Sequence, residues 1–171
     1  PDRLGEIQLE SERSTALDKA LHFIAASQKT ERQIREYLAG KGYLAAVSDY
    51  VLEKMSGYGF LDDRQYAESY AASAVKKQGA RLIRADLKEK GVSDEHIRNA
   101  LDGLEGEAET AAKLLGKYMR GKEADRQTLY KAFRYLIGKG FDYDTAKSAL
   151  TAFGEVSEDS EPQGESGDFS D

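Results

Sequence analysis

The sequence predicts an all-α protein: three tandem three-helix repeats of about 49 residues forming an elongated, curved helical array. Three observations predict it. The pattern Leu-x-x-Lys-Gly-apolar occurs as LAGKGY (38–43), LKEKGV (87–92) and LIGKGF (136–141), at one constant spacing. The same offset links Leu52, Leu101 and Leu150, and again Leu17, Tyr66 and Leu115, so the register is held over a whole unit. Proline occurs only at Pro1 and Pro162, which leaves the body of the chain without a helix breaker.

Each unit reads as three helices. The first repeat, 14–61, carries them at 14–27, 30–41 and 45–57, with Thr30 and Gln33 spaced as a capping box for the middle helix. The second, 62–105, carries them at 63–77, 80–90 and 93–104, with Asp62 or Asp63 and Ser93 as N-caps. The third, 106–153, carries them at 107–120, 125–139 and 143–153. Residues 1–13 are polar and expected to be poorly ordered, and the acidic tail 154–171 is too rich in Ser, Glu, Asp and Gly to bury a core. A unit of this length is marginal alone, so the units should share apolar surface.

The repeated motif has a physical meaning. With Gly42, Gly91 and Gly140 just past a helix end, Leu38, Leu87 and Leu136 fall four positions earlier and Tyr43, Val92 and Phe141 one later. Those are the two positions that meet in a Schellman cap, where glycine takes the left-handed conformation that costs other residues about 1–2 kcal/mol. The lysine before each glycine lies near the negative end of the helix dipole.

Composition narrows the chemistry. There is no cysteine, which removes disulfides and thiolate nucleophiles or ligands. Apolar runs are too short for a membrane span and no signal peptide is visible, so a cytoplasmic protein is expected. The chain opens on Pro1, so its natural start is expected to be missing or processed. Removing the seven acids of 154–171 turns the net charge of −6 into +1; residues 1–15 hold four acids and two bases, which leaves 16–153 at +3. The two histidines, His22 and His96, lie in different repeats without ligand partners at metal-binding spacing, so no metal or cofactor is expected. No phosphate-binding loop and no nucleophile signature occurs, and Asp62–Asp63 at a helix start reads better as a cap than as an acid/base pair. An enzyme is not expected.

The basic residues carry more. Lys76, Lys77, Arg81, Arg84, Lys88 and Lys90 cluster in one short stretch, and Arg81, Arg84 and Lys88 share one helix face. Arg32 and Arg35 hold the places of Arg81 and Arg84 one repeat earlier, and Tyr130 and Phe133 hold them one repeat later. A charge run is commonly just a solvated face; its recurrence raises the alternative of a surface for phosphate or carboxylate. Tyr58, Phe60, Tyr66 and Tyr70 nearby read as core rather than as stacking platforms.

Residues 59–92 resemble the RecX family of bacterial recombinase regulators. Gly59, Phe60, Leu61, Asp62 and Asp63, followed by Tyr66 in YAE, look like the family's most recognisable motif, and GARLIRADLKEKGV (79–92) is similar to its second stretch. The likeness extends over about 16–153. The family often has proline near Ala80, a departure that bears only on loop rigidity. The resemblance implies a non-enzymatic regulator of RecA. Such a protein binds the RecA filament along its groove and suppresses its ATPase, strand-exchange and coprotease activities in recombination, DNA repair and the SOS response. It also implies, for some members, direct binding of DNA, which a body charge of +3 would make weak and salt-sensitive. On this reading the GFLDD–Tyr66 motif fixes the central unit. Arg32, Arg35, Lys76, Lys77, Arg81, Arg84 and Lys88 are the candidate contacts to RecA acids or filament phosphates. A monomer is the default expectation.

Overall fold

The computed structural model describes residues 3–159, which form nine helices and no strand. They are α1 (Arg3–Ala26), α2 (Glu31–Gly40), α3 (Ala45–Gly57), α4 (Asp63–Ala74), α5 (Ala80–Glu89), α6 (Asp94–Asp102), α7 (Glu107–Met119), α8 (Arg126–Gly138) and α9 (Tyr143–Asp159). Two helices run past the expected bounds. Helix α1 begins at Arg3 rather than near residue 14, so the described part of 1–13 is helical. Nothing in that stretch breaks a helix, but it gains little burial there, and Leu4 and Ile7 stay exposed. Helix α9 continues to Asp159, into the expected tail; 160–171 lie outside the described residues.

The helix ends are set locally. Thr30 Oγ1 accepts from Gln33 N at 3.2 Å while Gln33 Oε1 accepts from Thr30 N at 3.0 Å, the capping box its spacing predicted. Ser93 caps α6 through His96 N at 3.3 Å, and Asp62 caps α4 through Gln65 N at 3.0 Å. Asp125 and Asp142 do the same for Thr128 and Thr145 at 2.7 Å, and these bonds from backbone and side chain hold both carboxyls below the usual aspartate range.

At the other ends, Gly42, Gly91 and Gly140 have φ of +88°, +83° and +92°. Tyr43, Val92 and Phe141 donate back to the carbonyls of Leu38, Leu87 and Leu136 at 3.1, 3.0 and 3.2 Å, and the three leucines are fully buried. The lysine before each glycine also lies over a ring. Lys41 is 5.6 Å from Tyr37, Lys90 is 5.5 Å from Tyr70, and Lys139 is 5.6 Å from Tyr135.

Backbone contacts divide the chain into two compact units, Pro1–Ala74 with Ile83–Glu105, and Val75–Leu82 with Gly106–Asp171. In the first, Ile34, Leu38, Val47, Val51, Leu52 and Met55 close on Ala16 and Ala20. In the second, Leu115, Ala132, Leu136, Phe141 and Ala149 form the corresponding core with Ala111, Met119 and Ala146. Three of these occupy the same repeat positions, two repeats apart: Leu38 and Leu136, Ile34 and Ala132, Val51 and Ala149. The boundary between the units falls inside α5. The first turn of α5 is tied to the end of α8: Gly79 N donates to Lys139 O at 2.8 Å and Arg81 N to Gly140 O at 3.0 Å.

Candidate partner-binding surface

The motif residues sit at a hydrogen-bond node in the first unit. Gly59, at φ +75°, ends α3 with the same cap geometry, its N–H donating to Ser56 O and that of Phe60 to Met55 O, both at 3.0 Å. Reading the sequence missed this fourth cap, although Met55 and Phe60 flank Gly59 as Leu38 and Tyr43 flank Gly42. Leu61 packs on the first-repeat core. Asp62 caps its own helix, whereas Asp63 Oδ1 accepts from Glu31 N at 3.0 Å and so caps α2 from the start of α4. Burial pushes the Asp63 carboxyl up; the bond from Glu31 N opposes that shift without cancelling it. Tyr66 is buried, and burial raises its phenol. Tyr70 donates to Asp86 Oδ2 at 2.8 Å and is pushed up to about 12, by burial first and by that bond second.

The seven candidate cations divide by what they touch. Arg32 pairs with Glu36 at 3.2 Å and points Nη1 at Lys88 O, 3.5 Å away, with its stem across Gly91. Arg81 Nη2 donates to Ile137 O at 3.2 Å, the same contact one repeat further on. Both arginines therefore help hold helix ends together. Arg35 is neutralised, by Asp49 at 2.6 Å and Glu31 at 3.3 Å, and the Asp49 bond is the main reason its pKa is raised. Lys88 lies 3.6 Å from Asp94, both side chains largely exposed. Arg84, on α5, and Lys76 and Lys77, in the turn after α4, are exposed and make no ion pair among the described residues.

The repeat explains why Arg84 is left over. Its counterpart Arg35 has acids at 31 and 49; one repeat on, those places are Ala80 and Arg98. Where the first repeat holds an ion pair, the second sets two arginines, and Arg98 is exposed and likewise without an ion pair among the described residues. Reading the sequence missed Arg98. The signal was available in the register, as a change from acid to base at an equivalent position. Two like charges at this place suit an anion supplied from outside.

Among the described residues, no three or more His, Asp or Glu side chains are grouped to hold a metal ion, and no helix is long and apolar enough to cross a membrane.

Comparison with known proteins agrees across nearly the whole described chain. The family models described as the first, second and third three-helix domains of RecX match residues 16–55, 62–101 and 105–150. The chain is 34% identical over 155 residues to Regulatory protein RecX of Clostridium perfringens strain 13, covering 87% of this chain and 73% of that one. It is 32% identical over 141 residues to the protein of the same name in Listeria monocytogenes HCC23, covering 79% and 52%. The crystal structure of RecX from Lactobacillus salivarius superposes with a TM-score of 0.80 at 20% identity, over 85% of this chain and 99% of that one, a likeness of fold. A crystal structure of regulatory protein RecX superposes equally well, TM-score 0.80, at 25% identity over 88% and 80%. With three tandem three-helix domains in this order and relatives named as regulatory proteins, the chain belongs to the RecX family.

Proposed function

We propose that this chain is a cytoplasmic regulator that binds the RecA–DNA filament and mainly inhibits RecA ATPase, strand-exchange and coprotease activity. Its setting would be recombination, DNA repair and the SOS response. Family membership supports the class of function. The observation that carries the contact is the pair Arg84 and Arg98, exposed cations at places where the first repeat neutralises Arg35 with Asp49. An Arg fork suits a RecA carboxylate or a filament phosphate. Lys76, Lys77 and Lys88 add charge to the reading, whereas Arg32, Arg35 and Arg81 are already engaged within the chain.

The test is the RecA ATPase rate on single-stranded DNA, titrated with this protein at fixed salt. Inhibition well below one protein per RecA subunit is expected, and none from a folded protein would overturn the proposal. The double variant Arg84→Glu with Arg98→Glu should need about tenfold more protein for half-inhibition, while Arg35→Gln should inhibit like the parent. Full inhibition by the double variant would remove these arginines from the contact.

A further inference from the structure

Two helix ends in this chain are covered by a helix start from the preceding repeat. At the Gly91 end Thr30 is fully buried, its hydroxyl donating to Lys90 O at 2.6 Å, and Arg32 Nη1 reaches Lys88 O at 3.5 Å. At the Gly140 end the buried Gly79 gives its N–H to Lys139 O at 2.8 Å, and Arg81 Nη2 reaches Ile137 O at 3.2 Å. This is one contact used twice, with the same register positions on each side. The third such end, at Gly42, is bare. A Cβ at Gly40 or Gly42 would meet nothing within 4 Å, and Ala39, Gly40, Lys41 and Gly42 are exposed, whereas Gly91 is half-buried and Gly140 buried. Tyr43 is half-buried where Val92 and Phe141 are buried.

The bare end carries an apolar residue in a polar place. Position 44 is Leu; one and two repeats on it is Ser93 and Asp142, whose side chains cap α6 and α9 at 3.3 and 2.7 Å. Leu44 starts α3 with no side-chain cap and stands 75% exposed, so it forgoes both a cap and burial. Ser93 lines one cavity with Glu31 and Gly91, so this register position faces the helix start that docks there.

The opposite half of the contact is bare in the third repeat. Thr128 and Tyr130 hold the places of Thr30 and Arg32. Thr128 is half-buried where Thr30 is fully buried, and Tyr130 is 61% exposed. Again the register turns apolar, from Arg to Tyr, on the side that has no mate. Helix α8 begins nearly one turn earlier in the register than α2 and α5, and Asp125 accepts from Thr128 N with its side chain and from Leu129 N with its carbonyl. This half is therefore left to dock by side chains, as Thr30 and Arg32 do. Residues 123–131 carry no net charge, Glu123 and the ionised Asp125 against Arg126 and Lys131, while 39–46 holds Lys41 alone. Apolar burial rather than charge suits the two halves to each other.

We infer that a second copy of this chain joins these halves: Thr128 and Tyr130 at the start of α8 in one copy dock on the Gly42 end and Leu44 of the next. Tyr130 lays its ring on Leu44 and directs its hydroxyl to Ala39 O, the place that Lys88 O and Ile137 O hold in the internal contacts. Each half lies within one compact unit. The contact is heterologous, so a pair keeps one free half of each kind and association continues with concentration. It needs no RecA and goes beyond filament regulation.

The experiment is sedimentation equilibrium of the full chain, without RecA or nucleic acid, from about 10 to about 500 µM, since a contact of this size is weak. The weight-average mass is expected to rise with concentration. Leu44→Asp restores the residue type of Asp142, so it should fold at least as well as the parent while weakening association about tenfold or more; Tyr130→Glu, at an exposed helical site, should weaken it similarly. Mixed in equal amounts the two variants should pair again, because one keeps Tyr130 and the other Leu44, and the mixture should stop at the dimer. Thermal melts check that both fold. A mass that stays at the monomer's up to the highest concentration would overturn the inference, as would association that either variant leaves unchanged. A mixture no more associated than its folded components would also overturn it, because a contact of like with like is not restored by mixing.

Discussion

The helix ends at Gly91 and Gly140 are the same device, met by their neighbours with different atoms. Each is a Schellman cap, and an arginine from more than one repeat upstream reaches a carbonyl of its last turn: Arg32 to Lys88 O at 3.5 Å, Arg81 to Ile137 O at 3.2 Å. At Gly91 the rest of the contact is made by a side chain, the fully buried Thr30, whose hydroxyl donates to Lys90 O at 2.6 Å. At Gly140 the equivalent place is Gly79, and main chain meets main chain, through Gly79 N to Lys139 O and Arg81 N to Gly140 O. The helix start is capped from outside in both cases, Glu31 N by Asp63 and Ala80 N by Glu107 Oε1 at 2.9 Å. A repeat thus preserves which backbone groups are satisfied, and is free in how it satisfies them.

That difference predicts unequal tolerance. A Cβ on Gly79 would fall onto the backbone of Gly140 and Phe141, which cannot turn away. A Cβ on Gly91 would fall mainly onto the stem of Arg32, which can in part move, and would add the cost of a positive φ. Gly79→Ala should therefore lower stability by about 3 kcal/mol and Gly91→Ala by about 2 kcal/mol in chemical denaturation. Gly40→Ala is the control: it meets nothing within 4 Å and should be neutral or slightly stabilising. Equal losses at 79 and 91 would mean that the two contacts are not distinguished by what packs on them.

The side-chain contact can be broken without crowding. Thr30→Val keeps the volume but strips the hydroxyl, leaving Lys90 O and Gln33 N short of a partner. A loss of about 1–2 kcal/mol is expected, between the cost of a missing N-cap and that of a buried unsatisfied pair. A change within about 0.5 kcal/mol would show that water replaces the hydroxyl there.

What could be read from the sequence follows the same division. The Leu-x-x-Lys-Gly-apolar motif and the absence of proline announce local geometry, because a cap is decided within a single short motif; the helices of the described residues follow in the expected order. The docking of one cap against another helix is decided more than one repeat away along the chain, and no local pattern encodes it. Arg32 and Arg81 therefore read as surface charge, although each reaches a backbone carbonyl. Helix α1 departs from expectation for the opposite reason: a polar stretch suggests disorder, but a helix with no breaker forms at the end of a packed one with little burial of its own. Arg98 is legible only by comparing repeats position by position.

The smallest expected effect tests Asp63, the side chain that caps α2 in the first unit. Its carboxyl is raised by burial, with Glu31 and Asp62 adding to the rise and the Glu31 N–H bond and His96 opposing it. The folded state thus holds its proton more tightly than the unfolded chain does. The stabilisation this gives is present at low pH and is lost as pH rises from the ordinary aspartate range through the higher folded value. Asp63→Asn keeps an oxygen for Glu31 N and cannot ionise. Relative to the parent it should gain stability as pH rises through that window, by less than about 1 kcal/mol because the site is only half-buried. Paired denaturation curves across acid pH read the difference directly and cancel the lowered carboxyls of Asp125 and Asp142, whose pH dependence runs the other way. If instead the variant lost ground as pH rose, the ionised carboxylate would be worth more as a cap than its burial costs. The cap that Asp63 places on the start of α2 would then rest on its charge.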